Sequence, residues 1–534
     1  MDVARPSGYL VGAERVASVA SADSLPRVQT CDTLIRGARV IDGSGGAPLE
    51  ADVACRGGVI AFVGHDPPLR ATETVDGTGL VLSPGFIDVH THDDTNVVHA
   101  PEMWPKLSQG VTTVIVGNCG ISAAPARLRG DPPDPMNLLG PADAFVYPDF
   151  STYVRAIERA VPAVNVAALV GHTTLRNNHM SALDRAATPA EIDAMRAELR
   201  DALHHGALGL STGLAYASAF AAPTEEVMAL AEPLAEAGAI YATHMRTEFA
   251  GVLDAMDEAF RIGRHARVPV AISHLKCAGP ENWGRSAEVL AALERASRTH
   301  PIGCDCYPYA ASSSTLDVTQ VTDRIEITIT WSEPHPEVGG RSLQDIAGEW
   351  KLSLVDAARR LQPAGAIYHS MSEDDVRRIL RHPATVIGSD GLPNDPMPHP
   401  RLWGAFPRVL GRYSRDEELF PLAVAVHKMT GLPARRFGLS GRGFIREGHA
   451  ADLVLFDPAT VRDVATFADP QRPAAGISAV WVNGVLSSRD QIPTRDRRGG
   501  RFLARGPIDH AGYYDASTAA ATREPTTTTT EMRA

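Results

Sequence analysis

The sequence predicts an α/β protein: a TIM-type (β/α)8 barrel with a small β-sandwich domain built from both chain ends. Three observations predict it. Eight apolar runs lie between Val81 and Asp390, most ending in polar or ionisable residues and most separated by helix-like segments. Near-continuous apolar strands alternating with helices make a parallel sheet covered on both faces. Two distant segments, TLIRGARVIDGSGGAPLEADVACRGGVIAFVG and GFIREGHAADLVLFDP with ISAVWVNGVLSS, share one texture of short β-rich runs and glycine turns,. The length of 534 residues suits one large domain and a smaller one,. A doubly wound open sheet is the alternative, and the absence of a G-x-G-x-x-G turn after an early strand counts against it.

The elements follow in order. Residues 1–30 read as a flexible extension, because Asp2, Glu14 and Asp23 stand where a signal peptide needs a basic and then an apolar stretch,. Residues 31–84 and 438–500 form the sandwich, and 85–437 the barrel. The eight runs are VLSPGFIDVHTH, VTTVIVGNC, VNVAALVGH, GALGLST, AIYATH, VPVAISHLK, PIGCDCYPY and ATVIGSD. The clearest helix is TPAEIDAMRAELRDALHHG: Thr188 caps, Pro189 opens the first turn, Glu191 completes a capping box and Gly206 follows the end,. The stretch from about 312 to 382 is too long for a connection and reads as a lid-like insertion, with RIEITITW as a strand and SLVDAARRLQ and MSEDDVRRIL as helices,. Residues 507–534, polar and ending EPTTTTTEMRA, are expected to be disordered,.

Composition narrows the function. A net charge of −12 argues against nucleic acid or an anionic membrane as partner,. No run of about 18 apolar residues offers a spanning helix. The six cysteines show no framework spacing and no C-x-x-C, which fits a reducing compartment, with the cytoplasm as default,.

The strand ends carry the chemistry. His90 and His92, two apart on a strand, face the same way. The second run ends in Cys119, the third in His172 and the fifth in His244. The sixth carries His274 and the eighth ends in Asp390. In a closed barrel these ends converge on one mouth. Each histidine alone could be a hydrogen-bonded core residue, but five histidines, a cysteine and an aspartate at seven such positions are hard to obtain from packing. Imidazole and thiolate donors select zinc, and a carboxylate beside them completes a hydrolytic site. Cys277, Cys304 and Cys306 read as packing residues.

The motifs SPGFIDVHTHDD, GNCG, VGHTTLR, GALGLSTGLAY, THMRTE, ISHLKCAG, CDCYPYAASSSTL and SDGLPNDPMPHPRLWGAFPRVLGRY resemble the metal-dependent amidohydrolases, and within them the N-acyl-D-amino-acid deacylase (D-aminoacylase) family, from about Thr33 to about Ile492. The resemblance implies amide hydrolysis of N-acyl-D-amino acids by metal-activated water. It implies that Cys119, His244 and His274 hold a tight zinc, that His90, His92 and Asp390 offer a second, weaker position, and that Asp390 is the general acid/base. It places Lys276, Tyr307 and Arg401 on the substrate carboxylate, counts Tyr216 among the substrate contacts, and sets Tyr368 and Met371 in a side-chain pocket of the insertion. Two departures stand out. The fourth run has no lysine of the kind cyclic amidases carbamylate, with Cys119 as the substitute, and RNNHM after GHTTLR carries an unusual asparagine pair. A cyclic amidase and a catalytically inactive scaffold remain the alternatives.

Overall fold

The computed structural model describes residues 29–494 and 497–509. The predicted extension apart from residues 29 and 30, and the predicted disordered tail beyond Asp509, lie outside the described residues.

The apolar run from Val81 divides at Pro84-Gly85. Val81–Pro84 joins a sheet made by both chain ends, and Phe86–Asp88 starts a parallel set. Gly85 has no alternative at the division, since a Cβ there would lie 2.1 Å from the Thr112 hydroxyl oxygen. The parallel set has eight strands: Phe86–Asp88, Val111–Val116, Asn165–Ala168 continuing as Val170–Gly171, Gly209–Gly213, Ile240–His244, Val270–Ile272, Ile302–Cys306 and Thr385–Ile387. Each pairs in parallel with the next in this order. The lower part of the third strand bonds to the second and its upper part to the fourth. The eighth also meets the first. Thr91 bridges Gly391, the Asp390 N–H donates to the His90 carbonyl at 2.7 Å, and buried Lys106 links Asp88 (2.8 Å) to Ser389 (2.7 Å).

Side chains that alternate off these strands fill a core of Ile87, Ile115, Ala167, Leu208, Ile240, Ala271 and Val386. Phe437, Leu439, Leu503 and Ile508 close it from below. Helices cover the outer faces. Pro189–His204 begins with the capping box expected of Thr188 and Glu191. Val252–Ala266 turns Val252, Ala255, Met256, Ala259, Phe260 and Gly263 inward, the i, i+3, i+4 stripe of a half-buried helix,.

The chain ends meet in one nine-stranded sheet, in the order Ile492–Pro493, Val485–Arg489, Ile477–Val482, Leu453–Phe456, Val81–Pro84, Gln29–Val40, Leu49–Arg56 and Val59–Gly64, with Leu69–Asp76 also paired to Gln29–Val40. A bulge between Ile35 and Ala38, where Gly37 has φ +66°, lets the long strand Gln29–Val40 serve Leu69–Asp76 below it and Val81–Pro84 above,. Ile35, Val40, Val53, Leu82, Leu453, Leu455 and Trp481 share its core, so each half of the sequence buries the other.

Two expected boundaries move. The insertion is a compact unit of three antiparallel strands, Ser312–Thr315, Ile327–Ser332 and Ala364–Tyr368, and two helices, Leu343–Trp350 and Leu354–Leu361, around its own apolar core. The helix Glu373–Arg381 is not part of it. Val376, Ile379 and Leu380 pack with Leu290, Leu293 and Ile387 in the layer over the parallel strands. The predicted tail begins too early at 507, since the Asp509 N–H donates to the Arg435 carbonyl at 3.2 Å, and the residues just before it, which the sequence reading left unassigned, are paired as well. Leu503 N–H donates to the Val166 carbonyl at 2.7 Å, Arg505 N–H to Gly206 at 3.0 Å and Gly506 N–H to Gly438 at 2.9 Å, a strap across the strand starts.

Candidate metal centre and substrate cavity

Six strand-end side chains converge. His90, His92, Cys119 and Asp390 bring donor atoms within 4.8 Å of one another, as do Cys119, His244 and His274, so Cys119 belongs to both groups. His90 Nε2 lies 3.1 Å from Cys119 Sγ, and His274 Nε2 lies 3.5 Å from it. His92 Nε2 is 3.2 Å from Asp390 Oδ1. Three of the six sit in left-handed backbone: Cys119 at φ +52°, His274 at +36° and Asp390 at +50°. Such conformations cost of order 1 kcal/mol or more outside glycine and persist where the surroundings impose them. Here each turns a side chain inward just past its strand. Gly213 makes room for one of them: a Cβ there would lie 2.1 Å from the Cys119 carbonyl oxygen.

Carboxylates hold the far side of two imidazoles. Asp305 lies 3.3 Å from His90 Nδ1 and accepts the His274 backbone N–H at 2.9 Å. Glu248 Oε1 lies 2.8 Å from His274 Nδ1 and 2.5 Å from Lys276 Nζ. This carboxylate–histidine arrangement fixes the ring and points Nε2 inward, as metal-bound histidines require. Burial resists ionisation of the Cys119 thiol, but His90 and His274 outweigh it and hold its pKa well below the ordinary value. Burial likewise opposes protonation of His92, and bonding to Asp390 and Cys119 overcomes it, raising its pKa to about 9. Burial opposes ionisation of Asp390 too, yet the charges of Arg401 and His90 keep it well below the usual range. The Nδ1 atoms of His92 and His244 are buried without a protein partner. A soft sulfur, imidazoles and a carboxylate crowded around one point fit a divalent ion of the zinc type.

Beside this centre opens a cavity of about 870 Å3. Tyr216, Lys276, Tyr307, Tyr368 and Asp390 line it, where sequence reasoning put them. Two expected contacts differ. Arg401, fully buried at the start of helix Arg401–Arg408, lies behind Asp390 rather than in the cavity; its guanidinium is 3.0 Å from Asp390 Oδ2, donates to the Ser313 carbonyl at 3.0 Å and stacks on the Tyr307 ring. Met371 misses the cavity and packs beside Cys306, Tyr309 and Val376, because it lies past the insertion's last strand, where the chain has returned to the helix layer. His172 stands apart, paired with Glu226 at 3.1 Å. Asn178 of the RNNHM stretch is a brace, accepting the Arg127 N–H at 2.8 Å and donating to the Pro125 carbonyl at 2.9 Å. Burial raises the thiol pKa of Cys277 and Cys304, to about 12 and about 11, and raises Cys306 as well, in keeping with packing.

Glu248 and Asp305 were missed. Each had a signal: Glu248 lies four residues past His244, and Asp305 is an ionisable residue next to last in the strand Ile302–Cys306.

A sequence model described as "Amidohydrolase family" matches residues 73–487. The D-aminoacylase of Alcaligenes xylosoxydans is 50% identical over 477 residues, covering 89% of this chain and 98% of that one. The N-acyl-D-aspartate deacylase of the same organism is 48% identical over 89% of this chain and 95% of its own. The N-acyl-D-glutamate deacylase of Bordetella bronchiseptica, solved with zinc and a phosphonate mimic of the tetrahedral intermediate, superposes with a TM-score of 0.86 at 45% identity, covering 89% of this chain and all of that one. The chain belongs to the amidohydrolases and, within them, to the N-acyl-D-amino-acid deacylase family.

Proposed function

We propose that this protein is a zinc-dependent hydrolase that cleaves the amide of N-acyl-D-amino acids to a carboxylate and a free D-amino acid. The observation that carries the reading is the pair of donor groups sharing Cys119 beside a cavity that Asp390 also lines. The eight parallel strands are read as a closed TIM-type barrel with this centre at its mouth. In an open sheet the first and eighth strands would be edges, whereas here they are joined through Thr91, Gly391 and Lys106. The sheet of the two chain ends, with its separate core, is read as a small domain of residues 31–84 and 438–500. Six free, buried cysteines support a cytoplasmic location, and among the described residues no helix is long and apolar enough to cross a membrane.

Cys119, His244 and His274 would hold the tight zinc, and His90, His92 and Asp390 a weaker second position. Zinc bound there supplies a Lewis acid and lowers the pKa of water toward 7. Asp390, kept ionised by Arg401 and His90, takes the proton of the attacking water and delivers it to the amide nitrogen as the amine leaves,. Lys276 and Tyr307 receive the substrate carboxylate. The Tyr307 hydroxyl is buried with no protein partner, so its proton is available to a ligand. Arg401 acts on Asp390, and its guanidinium lies over the Tyr307 ring with Nε and Nη1 lacking a hydrogen-bond partner.

The test is a pair of measurements. Elemental analysis of Cys119→Ala is expected to show loss of the tight zinc. A panel of N-acetyl-D- and N-acetyl-L-amino acids with hydantoin and dihydroorotate is expected to show hydrolysis of the D-forms alone. Wild-type zinc in the variant, or preferred cleavage of an L-form or a cyclic amide, overturns the reading.

A further inference from the structure

The charges around the cavity are one-sided. Five carboxylates line it: Asp134, Asp184, Glu248, Asp317 and Asp390. Lys276 is the only lysine or arginine among the described residues that do, and Glu248 already takes its ammonium at 2.5 Å. Glu248 and Asp390 are occupied at the metal centre. The other three belong to loops and reach water.

Two of these three share a corner. Asp317 is held in place: its side chain accepts the Thr319 N–H at 2.8 Å and the Gln320 amide at 3.1 Å, while its own N–H donates to the Tyr368 hydroxyl at 2.8 Å. Asp134 lines the same corner beside Thr315 and Asp317. Two adjacent carboxylates without a cation form half of an ionic contact. The same cavity presents the Ser313 hydroxyl, more than nine-tenths buried and without a protein partner.

We propose that the cavity selects substrates carrying a positive charge remote from the scissile amide, with Asp134 as the residue that recognises it. This rests on the deacylase reading and names its substrate class. A substrate with an acidic side chain, of the kind two of the relatives are named for, would meet carboxylates and no free cation. A cation at about 4 Å from Asp134 gains attraction that solvent and salt weaken without abolishing, enough for a preference on the order of tenfold.

The experiment uses the zinc-loaded enzyme and compares kcat/KM for N-acetyl-D-lysine, N-acetyl-D-norleucine and N-acetyl-D-glutamate. A second arm compares 6-aminohexanoyl with hexanoyl D-norleucine, separating a charge on the amino-acid side chain from one on the acyl group. The lysine or aminohexanoyl substrate is expected to exceed its neutral counterpart about tenfold, with D-glutamate slowest. Asp134→Asn is expected to bring that ratio near one, and 0.5 M salt to shrink it. Equal rates for charged and neutral substrates in both arms, or a ratio unchanged by Asp134→Asn, overturns the inference and leaves the deacylase standing. Failure to cleave any N-acyl-D-amino acid sinks the deacylase itself.

Discussion

Asp390 carries the heaviest single burden. It touches His90 at 3.4 Å, His92 at 3.2 Å and Arg401 at 3.0 Å, so its carboxylate is at once a ligand candidate, a proton acceptor and a counter-ion. Asp390→Asn keeps the shape but removes the proton-accepting oxygen charge. Turnover is expected to fall on the order of 10²-fold or more, with the tight zinc retained by elemental analysis. Near-normal turnover would place the base elsewhere. Most of this site was legible in the sequence, because ligands sit at strand ends and strand ends can be read from apolar runs. What was not legible follows from backbone geometry. Arg401 belongs to a helix start whose direction no motif encodes, and it reaches behind the site instead of into it. Glu248 and Asp305 act through the far nitrogens of His274 and His90, contacts that cross between strands.

Among the elements, the helix Glu373–Arg381 shows how a chain stop can titrate. It ends at His382, whose Nδ1 accepts the Ala384 N–H at 3.2 Å while Nε2 faces Glu294 at 3.1 Å, so the ring is held neutral. Burial lowers its pKa to about 4; Glu294 opposes this, and Lys428 and Arg436 add to it. Between pH 6.5 and 4 the unfolded chain therefore binds a proton that the folded chain refuses. Stability falls as pH drops through that window, by up to about 3 kcal/mol if burial is complete. Denaturant titrations are expected to show a shallower fall for His382→Gln than for the wild type between pH 6.5 and 4.5. Parallel slopes would sink the assignment. Sequence placed this helix inside the insertion, because the whole stretch from about 312 to 382 was read as one unit too long for a connection. The structure shows that the narrow stripe of Val376, Ile379 and Leu380 decides its place. The capping box at Thr188 was fully legible, being a four-residue rule,.

At the scale of the whole molecule, residues far apart in sequence complete each other. Truncation after Arg498 removes the strap, with Leu503 and Ile508 from the base of the interior core. Each buried apolar side chain is worth roughly 1.5–3 kcal/mol, so the midpoint of thermal unfolding is expected to fall by several degrees. Turnover at 25 °C should persist, since the strap lies against strand starts and the chemistry at strand ends. An unchanged midpoint would show that the strap adds nothing to stability. The sheet of the two chain ends is subject to a different constraint, one of time. Val81–Pro84 finds its antiparallel partner in Leu453–Phe456, about 370 residues later. A ribosome adding about 5–20 residues per second delivers that partner roughly 20–70 s after the first strand has emerged. For that interval Leu82 and its neighbours stand as an apolar strand with one edge open, the geometry that recruits other chains. Soluble yield then depends on how long that edge stays open during synthesis, whatever the stability of the finished protein.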